Sequence, residues 1–387
     1  MAGSSDIPVI DCNSIDSYSV LNYIVSKGAS VIFLGSKETN VEYTLKIFHL
    51  PGKRYSSVRR TCEIYIEQLF TVFLTEKILD NNITPHIIRC IYAQKKCNGL
   101  SALIKKIIGR DCPSRKIRVN QNIDNDWVGK YCDVVNQIDA GILDDKYESL
   151  MVETWGKSMN TYILSMAREL EYENSFRYDR KLMLAEKKID RLYFQIMFTL
   201  AAIRSKYPGF IHGDLFTKNI VVDDISSYGP DEYFEYHLFG KIFYFSCNGS
   251  HAKLIDFQFS RMANNPGTEE LSIDNIFGDS AVYNMRGTIN DTTDTWGITG
   301  DTIYEIYSFG YPAASKLAKM IEKYVNMEFY QQAVEARDRY GWVYGTDGVD
   351  SIAKAVKLPE GYIRSDIFDK YTIKPPGAKI VKSFNKQ

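Results

Sequence analysis

The sequence has no C-x-x-C pair, no basic-then-apolar leader, no glycine at position 2 and almost no net charge, and each absence closes off a class of protein. The cysteines, at 12, 62, 90, 97, 112, 132 and 247, are scattered and odd in number. Neither a disulfide framework nor a zinc site is supported, and reduced thiols in a cytosol-like compartment are expected. Met1-Ala2-Gly3-Ser4-Ser5-Asp6 lacks a secretory pattern, and Ala2 excludes the myristoylation motif. A formal net charge of -1 gives no overall pull towards nucleic acid or membrane, so neither is an expected partner. The longest apolar run, near residues 192–203, falls short of the roughly 18 residues of a membrane span. It follows a charged amphipathic stretch, so it is expected to be a buried helix.

What is present suits a large fold. The 387 residues are 45% hydrophobic, enough for one large domain or two lobes with substantial cores. Residues 29–34 and 42–48 read as strands joined by the polar turn 35–40. Residues 58–80 carry Ile66, Leu69, Phe70, Phe73, Leu74 and Ile78 at helical spacing, ended by Asn81, Asn82 and Pro85. A strand over 87–92 follows. Residues 97–148 are the least regular, with a basic cluster (Lys105, Lys106, Arg110, Arg115, Lys116, Arg118) and then an Asp/Asn-rich stretch. The cluster reads as a solvated insertion rather than a docking site for acidic segments or nucleic acid. A strand at 149–153 leads to a turn at Gly156. Residues 158–171 and 178–206 are helical by pattern, and Pro208-Gly209 stops the second. The chain beyond 262 reads as helical and loop-rich, with a basic, extended tail over 371–387. The expected class is α+β: a small β-rich lobe over 1–153 with an irregular insertion at about 97–148, then a larger helical lobe over 154–387.

Two short segments carry the chemistry. Residues 211–220 read Ile-His-Gly-Asp-Leu-Phe-Thr-Lys-Asn-Ile, and residues 253–260 read Lys-Leu-Ile-Asp-Phe-Gln-Phe-Ser. Phosphoryl transfer needs a carboxylate to orient the attacking hydroxyl and oxygen ligands for Mg²⁺, which offsets developing charge on the phosphates. Asp214 is placed for the first task, and Asn219 and Asp256 for the second. His212 is expected to hold the loop by hydrogen bonding. An Asp in a loop after a helix is usually a turn or cap residue; Asn219 five positions on, the apolar run 220–222 and the second segment weigh against that here.

Lys46, in Tyr43-Thr44-Leu45-Lys46-Ile47, sits where a strand lysine can reach bound phosphates, although most lone strand lysines are merely solvated. A lysine in that role needs a helical carboxylate partner. Glu63, Glu67 and Glu76 are candidates, with Glu67 preferred. Gly28 and Ser30 could bring backbone N–H groups to phosphate, weakly signalled by Lys27-Gly28-Ala29-Ser30-Val31. Leu150-Met151-Val152-Glu153-Thr154-Trp155-Gly156 reads as a hinge whose backbone, at Glu153 and Trp155, would meet an adenine edge; a buried strand end before a turn is the plain alternative.

The run 193–201, with 207–215 behind it, resembles the serine/threonine protein kinases of nucleocytoplasmic large DNA viruses. So do the long insertion between Asn219 and Asp256, read as an added hairpin within 223–252, and the segment 82–87. The likeness spans roughly residues 28–262 and is strongest over 190–260. It implies a bilobal protein-kinase-like fold, ATP with Mg²⁺ or Mn²⁺, protein substrates, and action in the host cytoplasm and in the virion beside other virion proteins. Departures accompany it. Gly213 stands where a catalytic-loop Arg is usual, which removes the partner of an activation-loop phosphate. Phe216 stands for the usual Lys, with Lys218 a substitute two places on. Gln258 replaces the usual Gly, and no A-P-E segment is evident. Asp294-Thr295-Trp296-Gly297 resembles a buried helix start of that fold. Two alternatives stay open: a pseudokinase scaffold, and a small-molecule kinase of the aminoglycoside or choline type, where His-Gly-Asp also occurs.

Overall fold

The period-two stretches of the first fifty residues form three strands: β1 (Tyr18–Val25), β2 (Ser30–Ser36) and β3 (Glu42–Pro51). This computed structural model describes residues 18–25, 30–36, 42–52, 58–108, 126–173, 175–262, 292–308, 310, 312–340 and 346–386. With β4 (Cys90–Asn98) and β5 (Leu143–Glu153), the three strands make an antiparallel sheet in the order β1-β2-β3-β5-β4. Helix α1 (Val58–Leu74) runs into a π-helical turn, Thr75–Leu79. Its residues Ile66 and Phe70 are buried, as are Leu45, Ile47, Tyr92 and Met151 of the sheet. The Gln68 amide donates to the Ser149 carbonyl at 3.3 Å, tying α1 to β5.

Three boundaries differ from the expectation. The strand expected at 87–92 begins only at Cys90, while Ile87 makes an isolated bridge to Leu254. The strand expected at 149–153 begins at Leu143. The irregular stretch 97–148 contains two helices, α2 (Leu100–Ile108) and α3 (Asp126–Asp139). Its charged residues conceal the amphipathic spacing of Leu100 and Ile104, which are buried. Most of the basic cluster falls in 109–125, outside the described residues; Lys105 is exposed. The thiols are also not uniformly reduced: Cys97 and Cys132, both buried, are each disulfide-bonded, whereas Cys90 and Cys247 are not in disulfides. Spacing along the chain carries no signal of that bonding.

The chain divides into two compact units, residues 1–72 with 89–154, and residues 73–88 with 155–387. The segment 73–88, expected in the first lobe, therefore counts with the second. The reason is local: the Ile88 N–H donates to the Leu254 carbonyl and the Leu254 N–H to the His86 carbonyl, both at 3.0 Å, and Phe73 packs edge-on against Tyr207.

The second unit is built around α5 (Ser175–Lys206), preceded by β6 (Lys157–Ser158) and α4 (Met159–Glu171). The residues at 192–203 are all buried, so this part of α5 is apolar on every side. A small sheet of order β10-β7-β6 joins β7 (Ile220–Ile225) to β10 (Gly249–Leu254). The insertion between them is the expected hairpin, β8 (Glu232–Leu238) with β9 (Lys241–Ser246). Its aromatic face, with Tyr236, Phe243 and Phe245, packs on Phe194 of α5 at centroid distances of 4.3 to 5.4 Å. The tail is extended over β11 (Lys379–Phe384), which pairs in parallel with β8 and places Phe384 against Phe234 and Tyr236. Helices follow residue 292, beginning with α6 (Thr293–Ile298). Among the described residues no helix is long and apolar enough to cross a membrane.

Candidate active site

In the first unit, Lys46 lies between buried Leu45 and Ile47 on β3, opposite Val31 of β2 and Leu150 of β5. Strand alternation turns its side chain away from those neighbours. Its ammonium pairs with the carboxylate of Glu67, which is buried on α1. Of the three candidate carboxylates, Glu67 is thus the one that meets Lys46. Glu76 lies in the π-helical turn, and the Glu63 side chain lies outside the described residues. Gly28 also lies outside them, as does the side chain of Ser30, whose backbone opens β2. At the strand end, the Glu153 N–H donates to the Arg89 carbonyl at 3.1 Å, and its carboxylate accepts the Arg89 N–H at 2.7 Å.

In the second unit, β7 and β10 run antiparallel with Ile220 opposite Leu254, which sets the ends of both motif segments side by side. The Ile255 N–H donates to the Asn219 carbonyl at 3.0 Å, one residue before Asp256. Asn219 Nδ2 donates to the Asp214 carbonyl at 2.7 Å and to Asp214 Oδ2 at 3.0 Å. Both bonds come from the amide nitrogen, which directs the amide oxygen away from Asp214. Asp214 is 2% exposed. Lys218 Nζ, on a side chain 63% exposed, stands 3.6 Å from Asp214 Oδ2, with Phe216 beneath it at 5.5 Å. The Asp214 carboxylate is therefore fixed by a neutral donor and approached from solvent by a cation.

Asp256 has φ +68°, the left-handed region that Asp visits more readily than most residues. Gln258, by contrast, is absent from the positive-φ residues, so this position does not use the torsional freedom of the usual Gly. His212 does what its placement suggested: its Nε2 donates to the Ile255 carbonyl at 2.9 Å, and its ring packs on buried Phe257 at 4.9 Å. Ile211 and Arg261 exchange two backbone bonds of 2.9 Å, and Ser260 Oγ donates to the His212 carbonyl at 3.0 Å. The two segments thus form one hydrogen-bonded block.

Asp294 holds that block from below. Its carboxylate accepts the His212 N–H at 2.6 Å and the Gly213 N–H at 2.9 Å. Burial pushes its pKa up, against the pull of these donors and of nearby His212. The helix start of Asp294-Thr295-Trp296-Gly297 is buried as expected. A β-carbon on Gly297 would stand 2.1 Å from the Leu215 carbonyl oxygen, so only glycine lets α6 approach the loop this closely. Trp155, the second hinge residue, has its indole Nε1 3.4 Å from the His251 carbonyl and the Lys253 ammonium 3.9 Å from its ring. Its side chain is thus occupied locally. Among the described residues, no three or more His, Cys, Asp or Glu side chains gather into a metal-holding cluster.

A small antiparallel sheet with a lysine–glutamate pair, and a helical unit with an Asp/Asn loop locked against an Asp-Phe segment, define an α+β, protein-kinase-like fold. The chain is homologous to two proteins of Acanthamoeba polyphaga mimivirus: it is 26% identical to "Putative serine/threonine-protein kinase R301" over 97% of this chain and 96% of that one, and 23% identical to "Putative serine/threonine-protein kinase R400" over 64% of this chain and half of that one. A crystal structure of a kinase domain overlaps 92% of this chain and 83% of its own, at 14% identity and a TM-score of 0.37. No protein-family model matches the sequence.

Proposed function

We propose that this chain is a viral serine/threonine protein kinase that transfers the γ-phosphate of ATP to protein hydroxyls with Mg²⁺ or Mn²⁺. The observation that carries the reading is the locking of Asn219 to both Asp214 and the residue before Asp256, in a chain aligned end to end with R301. A carboxylate and an amide oxygen, with no thiol or imidazole, form a donor set suited to a hard divalent cation that completes its shell with phosphates and water. Asp256 and Asn219 would hold that cation, which when bound offsets charge on the phosphates.

The chain's own groups divide the remaining work. Asp214 accepts the proton of the acceptor hydroxyl, with its carboxylate kept in place by Asn219 Nδ2. Lys46, oriented by Glu67, binds the α- and β-phosphates, with backbone N–H groups of Gly28 and Ser30 contributing to them. The Glu153 carbonyl and the Trp155 N–H meet the adenine edge. Lys46, Asp214, Asn219 and Asp256 are all present, which disfavours a pseudokinase, and similarity over 97% of the chain to R301, whose name is that of a serine/threonine-protein kinase, disfavours a small-molecule acceptor.

Purified protein with Mg²⁺-ATP is expected to label itself or a casein-like substrate, and Asp214→Asn to abolish the label. Nucleotide-dependent thermal stabilisation without turnover would point to the scaffold instead. Labelling of choline or an aminoglycoside in preference to protein would point to the small-molecule enzyme. The same reading places the enzyme in host cytoplasm and in the virion with other virion proteins as partners. Immunodetection in purified particles tests this, and its absence there removes the virion part.

A further inference from the structure

Gln195 is an amide in the middle of a fully buried apolar helix, flanked by Leu192, Tyr193, Phe194, Ile196 and Met197, and it is itself 0% exposed. A buried amide costs stability unless its groups are matched, and both are. Its Oε1 accepts the Ala252 N–H at 2.8 Å and its Nε2 donates to the Ser250 carbonyl at 3.2 Å. These are the outward-facing backbone groups of β10, which is the outer strand of its sheet. The amide thus supplies the two bonds that a neighbouring strand would supply. The last two residues of that edge are met by the segment 86–88: His86 Nδ1 donates to the Ala252 carbonyl at 2.9 Å, the Leu254 N–H to the His86 carbonyl and the Ile88 N–H to the Leu254 carbonyl, both at 3.0 Å. Arg191, one turn earlier on α5, holds the turn before β10 by donating to the Ser246 and Asn248 carbonyls at 2.6 and 2.7 Å.

We propose that Gln195 is a positioning residue for the metal-side carboxylate: by substituting for a missing strand it fixes the lengthwise position of β10, and through it the place of Asp256 relative to Asn219. Asp256 lies two residues beyond the end of β10, on a segment joined to Asn219 by one backbone bond. At Leu254 the outer edge is already held by the His86 and Ile88 backbone; without the Gln195 amide, the Ser250 carbonyl and the Ala252 N–H lose their partners there and the middle of the strand is free to fray. Metal ligation is sensitive to displacements of a fraction of an ångström. The inference rests on the reading of Asp256 as a metal ligand.

The test uses the full-length protein as wild type, Gln195→Met, Leu200→Ala and Asp256→Asn. Gln195→Met keeps the size and removes both bonds. Leu200→Ala loosens the same buried helix while leaving both Gln195 bonds to β10 in place, and serves as the control for general destabilisation. Two quantities are measured: the Mg²⁺ concentration that half-saturates binding of a fluorescent ATP analogue, and amide hydrogen exchange in a peptide spanning 249–256. Gln195→Met is expected to raise the half-saturating Mg²⁺ by about three- to tenfold and to speed exchange in 249–256, with Mg²⁺-free nucleotide binding unchanged; the scale follows from the usual cost of a disturbed supporting shell. Leu200→Ala is expected to lower the melting temperature and leave the Mg²⁺ dependence unchanged. An equal Mg²⁺ shift in Leu200→Ala, or none in Gln195→Met, overturns the proposal. If Asp256→Asn leaves the Mg²⁺ dependence at the wild-type value, the metal reading of Asp256 is what fails, and the proposal falls with it.

Discussion

Gly213 turns at φ +80° directly against Phe259, where an added β-carbon would stand 2.2 Å from the Phe259 carbonyl oxygen. The glycine that displaces the usual catalytic-loop Arg is therefore a steric requirement of this loop, since the segment after Asp256 occupies the space. Left-handed torsions cost a residue with a β-carbon about 1 kcal/mol or more, and the clash adds to that. Gly213→Ala is expected to lower the melting temperature by several degrees and turnover by at least about a hundredfold, because it pushes Asp214 and the 257–260 turn apart. A Gly213→Ala enzyme with wild-type turnover would show that the block is softer than its bonds suggest.

The same residue bears on control. Without an Arg at 213 there is no guanidinium at this position to bind a phosphorylated loop. Phosphatase treatment of the purified protein is expected to change its initial rate by less than about twofold, against the several orders spanned by arginine-dependent phosphoryl-transfer switches. A fall of tenfold or more would require another cation to read the phosphate.

Lys46 and Glu67 should be energetically coupled. Removing the ammonium takes away the cation paired with the buried Glu67 carboxylate, a loss of about 3 kcal/mol for well-buried pairs and less here, since Lys46 is partly exposed. Lys46→Met is expected to weaken nucleotide binding and destabilise the fold, and Glu67→Gln added to it should recover part of the stability but none of the binding. Denaturant melts and titrations of a labelled ATP analogue on the four members of the cycle measure this. Additive stability losses would mean that the pair is incidental.

These residues were legible in the sequence for a physical reason. Lys46, Asp214, Asn219 and Asp256 are types the chemistry demands, and their strand or loop settings are written in adjacent residues such as 220–222 and 254–255. Glu67 could be preferred but not fixed, since Glu63 and Glu76 share its helix. What stayed hidden depends on contacts between residues far apart in the chain. Gln195 reads as one more residue of an apolar run until Ser250 and Ala252 lie beside it. His86 meets Ala252 across 166 positions, so sequence order assigned 73–88 to the wrong unit. The bonding of Cys97 and Cys132 and the pairing of the basic tail with β8 left no local trace, because neither alters the pattern of the residues around it.

Lys218 Nζ stands 3.6 Å from the Asp214 carboxylate, and Phe216 occupies the position two residues after Asp214 where a lysine is usual. An exposed ammonium beside a buried carboxylate can meet negative charge arriving with the phosphoryl group. Lys218→Met is expected to reduce kcat by about tenfold with KM for ATP nearly unchanged, and Lys218→Arg to retain part of the rate; preorganised donors at developing charge set the scale, lowered for solvent exposure. Steady-state kinetics with a fixed protein substrate read the split. An effect confined to KM for ATP would assign Lys218 to nucleotide binding instead.

Two buried histidines set the acid limit of the fold. Burial, with the Arg191 guanidinium 2.8 Å from its Nε2, pushes the His251 pKa down to about 3, and burial together with His251 holds His86 well below its ordinary value. The same Nε2 also lies 2.8 Å from the Cys247 carbonyl, which pulls the pKa up, but burial and the guanidinium outweigh it. Both histidines are bases whose folded pKa is depressed. Below about pH 6.5, their ordinary value, the unfolded chain binds protons that the folded chain refuses. Unfolding free energy should then fall with decreasing pH by up to about 2.7 kcal/mol per unit, two protons at 1.36 kcal/mol each, until the folded groups themselves titrate. Above pH 6.5 this contribution is flat. Urea midpoints between pH 5 and 8 test the sign, and His251→Gln should roughly halve the acid-side slope. A slope unchanged by that substitution would assign the acid sensitivity to carboxylates rather than to the histidines that line β10.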